Sequence, residues 1–309
     1  MLKYLIVQLD DLSPSFCHYS NKNTERKLIA LETLKAGIIW AMKENLMVQF
    51  VYPNYELPKE YLELIDTVDH IDIERDNSDA DVSVFDGSES LSTLKTKEFP
   101  HVVLRLSKCE LFDSVDAIRD AMKFQSSLNI VITDIETFRK IDFEKYKIVL
   151  EELSETIIDK MKSNEPVKMN LLTDRLLLTT MNNCNAGDES ITFAPDGKFY
   201  ICPAFYFDKG DNIGNPITGL SIPNSQLYKL EKAPMCRNCD AFQCKRCVWL
   251  NQKTTLEVNT PSREQCVISH LERNASRQVL EKAKELGLLH TNMSISMIDY
   301  LDPFDKVKR

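Results

Sequence analysis

Cysteine spacing constrains this chain more than any other sequence feature. Seven of its nine cysteines lie between Cys184 and Cys266, and four of them fall in the run CRNCDAFQCKRC, from Cys236 to Cys247. The other two stand alone in the first half of the chain. This composition shift predicts a boundary near residue 165, with one domain over 1–165 and a cysteine-rich domain over 166–309.

Paired thiolates on short loops are soft donors, which select zinc or iron–sulfur clusters over calcium or magnesium. Cys236 and Cys239 form one CxxC pair, and Cys244 and Cys247 form a second pair four residues later. That gap is shorter than the one in a zinc ribbon. Seven thiols also exceed the four ligands of one tetrahedral site. Two metal centres are therefore the simpler interpretation.

The first half alternates short apolar runs with amphipathic stretches, which indicates an α/β fold with parallel strands. About six strands precede residue 165, too few for a closed eight-stranded barrel, so we expect a partial barrel or a doubly wound sheet. The clearest predicted strands span 2–9, 47–52, 101–107 and 129–135, and the clearest helices span 24–46, 114–127 and 142–163.

The second half has a different texture. The stretch SITFAPDGKFYICP predicts two strands joined by a tight turn at Asp196-Gly197. After the cysteine-rich loop, a helix is expected from Pro261 and Ser262 towards Leu286, and a short helix near Ile295. This half is expected to be a small α+β domain.

Composition limits the classes of function. The net charge is −9 and no basic stripe is present, so nucleic acid is a poor partner. The opening MLKYLIVQLDDL meets acidic residues too early for a signal peptide, and no stretch reaches the ~20 uncharged residues of a membrane span. We expect a cytoplasmic protein whose cysteines are thiols or metal ligands.

The full pattern is C-x12-G-x4-C, then C-x2-C-x4-C-x2-C, then a last Cys, with Pro203 directly after the second ligand. In this order and spacing the 184–266 segment resembles a SPASM domain, the auxiliary-cluster domain of radical-SAM peptide-modifying enzymes. The last two intervals of its central run are each one residue shorter than usual. The resemblance implies two [4Fe–4S] clusters, with zinc in one or both sites as the alternative.

The resemblance also divides the ligands. One centre would take Cys236, Cys239, Cys244 and Cys266, and the other would take Cys184, Cys202 and Cys247. Family members with a fourth ligand at the second of these centres have a further Cys shortly upstream, where this chain reads LLLTTMNN. That centre would keep an open position or use a distant group such as Cys109 or His18. His270 lies on the same helix face as Cys266 and could be a ligand, but it is predicted to lie beside the ligands or at the surface.

A SPASM domain normally follows a radical-SAM barrel, which carries CxxxCxxC after its first strand. Here that loop reads DDLSPSFCHYS, with Cys17 as its single thiol. The second strand ends in VYPNYELP, where the family has a Gly-Gly-Glu turn. The resemblance therefore implies a degenerate domain that does not bind or cleave S-adenosylmethionine (AdoMet).

The elements LIVQLDD-x4-FCHY and FVYPNYELP, together with the SPASM-like end, resemble the CXXX repeat peptide maturase family. This implies a metal-cluster protein for ribosomal peptide (RiPP) maturation, a pseudoenzyme whose partners are a radical-SAM peptide-modifying enzyme and a Cys-repeat precursor peptide. No catalytic residue is assigned. Two alternatives remain: an active iron–sulfur redox enzyme on peptide thiols, and a zinc-stabilised peptide-binding adaptor.

Overall fold

The computed structural model describes residues 2–181, 184–298 and 300–303. The chain divides into two compact units, each assembled from three segments. The first unit comprises 1–84, 184–234 and 247–259, and the second comprises 85–183, 235–246 and 260–309. The domain boundary near residue 165 stays a prediction.

The strands are short, and most of them alternate with helices along the chain. The strands are β1 (Tyr4–Gln8), β2 (Met47–Val51), β3 (His70–Arg75), β4 (Val82–Asp86), β5 (Val102–Leu106), β6 (Ser127–Ile132), β7 (Lys168–Met169), β8 (Ser190–Phe193), β9 (Phe199–Tyr200), β10 (Gly214–Asn215) and β11 (Gly219–Leu220). The α-helices are α1 (Leu31–Lys43), α2 (Lys59–Ile65), α3 (Leu91–Leu94), α4 (Lys108–Asp113), α5 (Val115–Phe124), α6 (Lys140–Lys162), α7 (Asp174–Leu177), α8 (Pro203–Phe207), α9 (Val248–Thr255) and α10 (Arg263–Glu285).

The first unit is built around β1. This strand pairs in parallel with β2 and with β8, so that Tyr4 lies opposite both Met47 and Ser190. The strand order is β9-β8-β1-β2-β3-β4, and β8–β9 is an antiparallel hairpin. Leu5, Val7 and Phe50 are fully buried. Such a core agrees with the continuous apolar runs of parallel strands, which are buried on both faces.

The first helix begins later than its apolar spacing predicts. Residues 24–30 are not helical, because Leu28 pairs with Asp10 in an isolated bridge and the Ile29 amide donates to the Leu9 carbonyl over 2.9 Å. Ala30 then has an extended conformation and caps the helix. Pairing with the end of β1 therefore overrides the helical periodicity, and α1 begins at Leu31.

The second unit has a parallel β5-β6-β7 ladder and two helices of 23 residues, α6 and α10, that contact each other. Ser107 begins α4 with a capping box that involves Glu110. Ser262 caps α10, where its hydroxyl accepts from the Gln265 amide, as the sequence predicts. The prediction of a short helix near Ile295 is wrong, because the described residues from 289 to 298 are not helical.

The α/β fold class with a largely parallel sheet is confirmed. The predicted strands correspond to β1, β2, β5 and β6, with bounds that differ by a few residues. No described helix combines the length and apolarity that a membrane crossing requires.

Replacing Gly197 with alanine is expected to destabilise the protein by about 1–2 kcal/mol, because an L side chain strains a left-handed backbone by roughly that amount. Gly197 has φ of +78° in the β8–β9 turn, and an added Cβ would lie 3.1 Å from Thr33 Cγ2. Denaturant unfolding measures the loss. Gly197→Asn is the control, because asparagine tolerates this conformation, and an equal loss in both variants would contradict the conformational explanation.

Candidate metal centres

The two predicted ligand sets fall in different units. The four-thiol site consists of four cysteines that all belong to the second unit: Cys236, Cys239, Cys244 and Cys266. The three-thiol site consists of three cysteines that all belong to the first unit: Cys184, Cys202 and Cys247. The boundary between units falls between Arg246 and Cys247, inside the second CxxC pair. Spacing alone would pair Cys244 with Cys247, but these two cysteines belong to different units. The two ligand sets stay a prediction.

The four-thiol site is formed by a tight loop and the first turn of α10. The Cys239 amide donates to the Cys236 carbonyl over 3.0 Å, and the Cys244 amide donates to the Ala241 carbonyl over the same distance. The Cys266 amide donates to the Ser262 carbonyl, so the helix cap fixes the fourth cysteine. These backbone hydrogen bonds fix the conformation of the loop and of the helix turn that carry the four cysteines.

All four thiols line one small cavity of about 30 Å³. Burial raises the pKa of Cys236 to about 12, and the charges of Cys244 and Cys239 add to this rise. Burial likewise raises the pKa of Cys239 to about 11, again with a contribution from Cys244. The pKa of Cys266 is raised by burial and by the other three thiols. The four groups are therefore close neighbours that stay protonated at neutral pH unless a cation replaces their protons.

The donor chemistry of this cavity fits a soft metal or cluster, because thiols supply all four donors. Among the described residues, however, no three His, Cys, Asp or Glu side chains converge closely enough to hold a single metal ion. A zinc ion binds each sulfur at ~2.3 Å and would have to draw the thiols together. The assignment of the seven cysteines as ligands stays a prediction.

His270 lies beside the four-thiol site and is buried. Its Nε2 atom is 3.6 Å from Cys239 Sγ, and burial lowers its pKa. His270 therefore lies beside the four-thiol site and not at the surface. A buried, neutral imidazole at this distance can exchange a weak hydrogen bond with the sulfur.

The three-thiol site brings together residues that are far apart in sequence. Cys202 ends the β8–β9 hairpin and precedes α8, and Cys247 directly precedes α9. Cys184 is exposed, and its carbonyl accepts from the Ser190 hydroxyl over 2.7 Å. The pKa of Cys202 is raised by burial and by the charges of Cys247 and Cys184. The three thiols are therefore neighbours. That they hold one metal centre stays a prediction.

Tyr228 is a neighbour of the three-thiol site that the sequence analysis missed. A Cβ on Gly187 would lie 2.6 Å from its ring, so the ring packs on the loop after Cys184. Burial and the charge of Cys202 raise the pKa of Tyr228. Tyr228 and Trp249 also line a cleft of about 430 Å³ in the first unit. Tyr228 ends a short 3₁₀ helix (Ser225–Tyr228) that has no apolar periodicity, so the sequence gave no signal for this position.

Of the two groups suggested as a distant ligand, Cys109 lies in the second unit, on α4, and is exposed. His18 lies in the loop after β1 and is half-buried. The electrostatic neighbours that raise the pKa of Cys202 are Cys247 and Cys184. Use of Cys109 or His18 as a ligand stays a prediction.

The loop after β1 is held by its own polar groups. Asp10 is fully buried and accepts from the Leu12 amide over 2.7 Å and from the Tyr55 hydroxyl over 2.8 Å. The Ser13 hydroxyl donates to the Val51 carbonyl, which ties this loop to the end of β2. The hydrogen bond between Tyr55 and Asp10 thus joins the two motifs that resemble the family, LIVQLDD and VYPNYELP.

A buried carboxyl lies behind the four-thiol loop. Glu272 accepts from the Tyr146 hydroxyl over 2.8 Å, and Gln243 Nε2 lies 3.4 Å from its second oxygen. The same Gln243 amide donates to the Ser269 carbonyl over 2.7 Å. Burial raises the pKa of Glu272 to about 7. The network joins α6, α10 and the loop residue that precedes Cys244.

Glu272→Gln is expected to remove a pH dependence of stability. In the wild type the unfolded chain ionises this group near pH ~4.3, whereas the folded protein keeps it protonated up to about pH 7. Its contribution to stability is therefore full below pH ~4 and falls by up to about 3 kcal/mol as pH rises to 7. Denaturant unfolding from pH 4 to 8 measures the slope. The exposed Glu285→Gln is the control, and an unchanged slope in Glu272→Gln would contradict the prediction.

No protein-family model matches this chain, and no curated protein matches it in sequence. Solved structures do match. Native anSMEcpe with bound AdoMet and Kp18Cys peptide superposes with a TM-score of 0.61 at 13% identity, over 92% of this chain and 100% of that one. The fold is radical-SAM-like.

The other matches are of the same kind. Native anSMEcpe with bound AdoMet and Cp18Cys peptide has a TM-score of 0.60 at 13% identity, over 93% of this chain and 100% of that one. Hexahistidine-tagged anSMEcpe with bound AdoMet has a TM-score of 0.60 at 12% identity, over 92% of this chain and 100% of that one. In all three comparisons the similarity of fold extends over more than nine tenths of this chain.

Proposed function

We propose that this protein is a metal-cluster protein of ribosomal peptide maturation, which acts beside a radical-SAM enzyme on a Cys-repeat precursor peptide. One observation carries the proposal: four buried or half-buried thiols, which the family resemblance assigns to one centre, line one cavity and interact electrostatically. Such thiols are typical of a metal or cluster site that fixes a local fold.

AdoMet cleavage is not part of the proposed activity. The loop after β1 contains one thiol, Cys17, whereas a cluster that binds AdoMet needs three. The same loop is anchored by Asp10 and Ser13 to Tyr55 and to the end of β2. These contacts support a structural role for the loop. The proposal that the AdoMet site is degenerate rests on the family resemblance.

The peptide substrate is inferred from the fold and from the resemblance together. The structures of anSMEcpe include peptides named Cp18Cys and Kp18Cys. The resemblance to CXXX repeat peptide maturases points to a precursor with repeated cysteines. An extended peptide can add to an exposed strand, and both β7 and β9 end their strand orders as two-residue strands.

Each part of the chain has a definite role in this proposal. The four-thiol site would hold one [4Fe–4S] cluster, and the three-thiol site would hold a second with one position left for another ligand. Such clusters supply one-electron storage and a rigid crosslink. The chain itself holds the loop 235–246 against α10, excludes water from Cys236 and Cys244, and leaves Cys184 exposed.

Metal analysis of protein purified without air tests the proposal. We expect iron and acid-labile sulfide at two clusters per chain, and binding of a synthetic Cys-x-x-x repeat peptide. Zinc without iron or sulfide would favour the zinc-stabilised adaptor. Absence of all three elements would contradict the proposal. In a separate assay, reduced protein should not consume AdoMet, and consumption would contradict the degenerate site.

A second candidate function, an iron–sulfur redox enzyme on peptide thiols, is favoured by one observation. The cleft of about 430 Å³ beside Tyr228 and Trp249 is large enough for a peptide side chain. Electron paramagnetic resonance of the reconstituted protein, with and without the repeat peptide, separates the two functions. A spectrum that changes with the cysteine peptide, but not with its serine analogue, would support the enzyme.

A further inference from the structure

His270 is a fifth possible metal donor in the cavity of the four-thiol site. It lines that cavity together with the four thiols and is 6% exposed. Cys266 and His270 are four positions apart on α10, so their side chains leave the same face of the helix. Two donors with this spacing on one helix face are a recurrent way to bind one metal ion.

The distance between His270 and Cys239 is that of two ligands of one metal. The Nε2 atom of His270 lies 3.6 Å from Cys239 Sγ. A tetrahedral ion that binds sulfur at ~2.3 Å and nitrogen at ~2.0–2.1 Å holds these two donors ~3.6 Å apart. No three donors among the described residues converge closely enough to hold an ion, so a metal would draw the remaining thiols towards this pair.

The surroundings of the imidazole suit a metal ligand. Burial lowers the pKa of His270, so the ring is neutral at pH 7 and keeps the lone pair of one nitrogen. The backbone of Leu301 acts on the ring as a nearby acceptor and raises the same pKa, against the larger effect of burial. An acceptor beside one ring nitrogen favours the proton there and leaves the lone pair of the other nitrogen for a metal.

We propose that His270 is a ligand of the metal in the four-thiol site and binds it through Nε2, next to Cys239. The inference rests on the proposed function, because it requires a metal at this site. A structural zinc ion or a four-iron cluster takes four protein ligands, whereas this cavity offers five donors. One thiol is therefore surplus, and the centre has three thiolates and one imidazole. A neutral imidazole in place of a thiolate also raises the reduction potential of an iron–sulfur cluster.

The experiment uses the full chain with Cys184→Ala and Cys202→Ala, which disable the three-thiol site. The metal-free, reduced protein is loaded with zinc, and X-ray absorption at the zinc edge counts the sulfur and nitrogen ligands. His270→Ala removes the imidazole, and His101→Ala, which replaces an exposed histidine of the same unit, is the control. A second sample is reconstituted with iron and sulfide, and electron paramagnetic resonance measures the coupling of the reduced cluster to isotopically labelled histidine.

We expect three sulfurs at ~2.3 Å and one nitrogen at ~2.0–2.1 Å in the parent and in His101→Ala. His270→Ala should lose the nitrogen and gain a fourth sulfur, because the surplus thiol takes its position. Four sulfurs in the parent, or a light ligand that persists in His270→Ala, would overturn the ligand role and leave the proposed function intact. If the site accepts a cluster but no zinc, absence of histidine coupling would overturn the ligand role. A parent that binds neither would overturn both proposals.

Discussion

Replacing Cys239 with alanine is expected to empty the four-thiol site and to unfold much of the second unit. The thiol is one of four that line the cavity, and its loss leaves three donors in a loop with few apolar residues. A structural four-ligand zinc site contributes ~10–16 kcal/mol of binding free energy to folding, so the loss is far larger than that of an ordinary core mutation. Metal content per chain and limited proteolysis measure the two effects.

Two variants, each with one other cysteine replaced, serve as controls for Cys239→Ala. Cys109 is exposed on α4 of the same unit, and Cys109→Ala should leave the metal of the four-thiol site and the stability of this unit unchanged. Cys17→Ala should also keep full metal content, because one thiol cannot hold the missing AdoMet cluster. Full metal content in Cys239→Ala would contradict the ligand assignment, and loss of metal in Cys17→Ala would contradict the degenerate site.

Replacing Asp240 with alanine is expected to cost about 2–3 kcal/mol of stability. Arg273 is completely buried and donates to both Asp240 oxygens, over 2.8 Å from Nε and 2.7 Å from a terminal nitrogen. Removal of Asp240 leaves this charge uncompensated, which costs ~3–5 kcal/mol for a fully buried pair and less here, since Asp240 is 39% exposed. Because Asp240 follows Cys239, metal affinity should fall as well.

The contribution of the Asp240–Arg273 pair to stability depends on pH with a definite sign. Burial alone would raise the pKa of Asp240, but its hydrogen bonds and the charges of Arg273 and Arg175 hold that pKa below its usual range. The stabilisation is therefore present above the unfolded pKa of ~3.9 and is lost as pH falls through the lower, folded value.

Denaturant unfolding at pH 7 and at pH 3 tests both statements about Asp240. Asp120→Ala is the matched control, because Asp120 makes an exposed ion pair with Lys123 in the same unit. That variant should lose much less stability than Asp240→Ala, because water screens an exposed ion pair. Equal losses of stability in Asp240→Ala and Asp120→Ala would contradict the prediction that the burial of Arg273 makes the loss of its partner more costly.

Local features of the sequence determined much of the fold. The alternation of apolar runs with amphipathic stretches predicted β1, β2, β5 and β6, because a strand buried on both faces must be apolar throughout. Asp196-Gly197 predicted the hairpin turn, since the left-handed conformation there favours glycine. Ser262 predicted the start of α10, because its hydroxyl caps a free amide.

The sequence was less informative wherever long-range contacts decided the outcome. The apolar spacing of 24–46 predicted a helix throughout, yet Leu28 pairs with Asp10, to which it is close only in the folded chain. Tyr228 and Glu272 gave no signal, because their partners are Cys202 and Tyr146, which lie far away in sequence.

The sequence by itself determined the chemistry of this protein: soft thiol donors in a fixed order, on a chain that alternates strands with helices. The residues and their spacing left open which thiols are neighbours, and the tertiary structure decided this. Cys244 and Cys247 are three positions apart and belong to different units, whereas Cys266 joins Cys244 across a gap of 22 positions. The physical reason is that a short chain segment limits the distance between two cysteines but not the directions in which their side chains point. The left-handed backbone at Arg246 lies between Cys244 and Cys247, which belong to different sites.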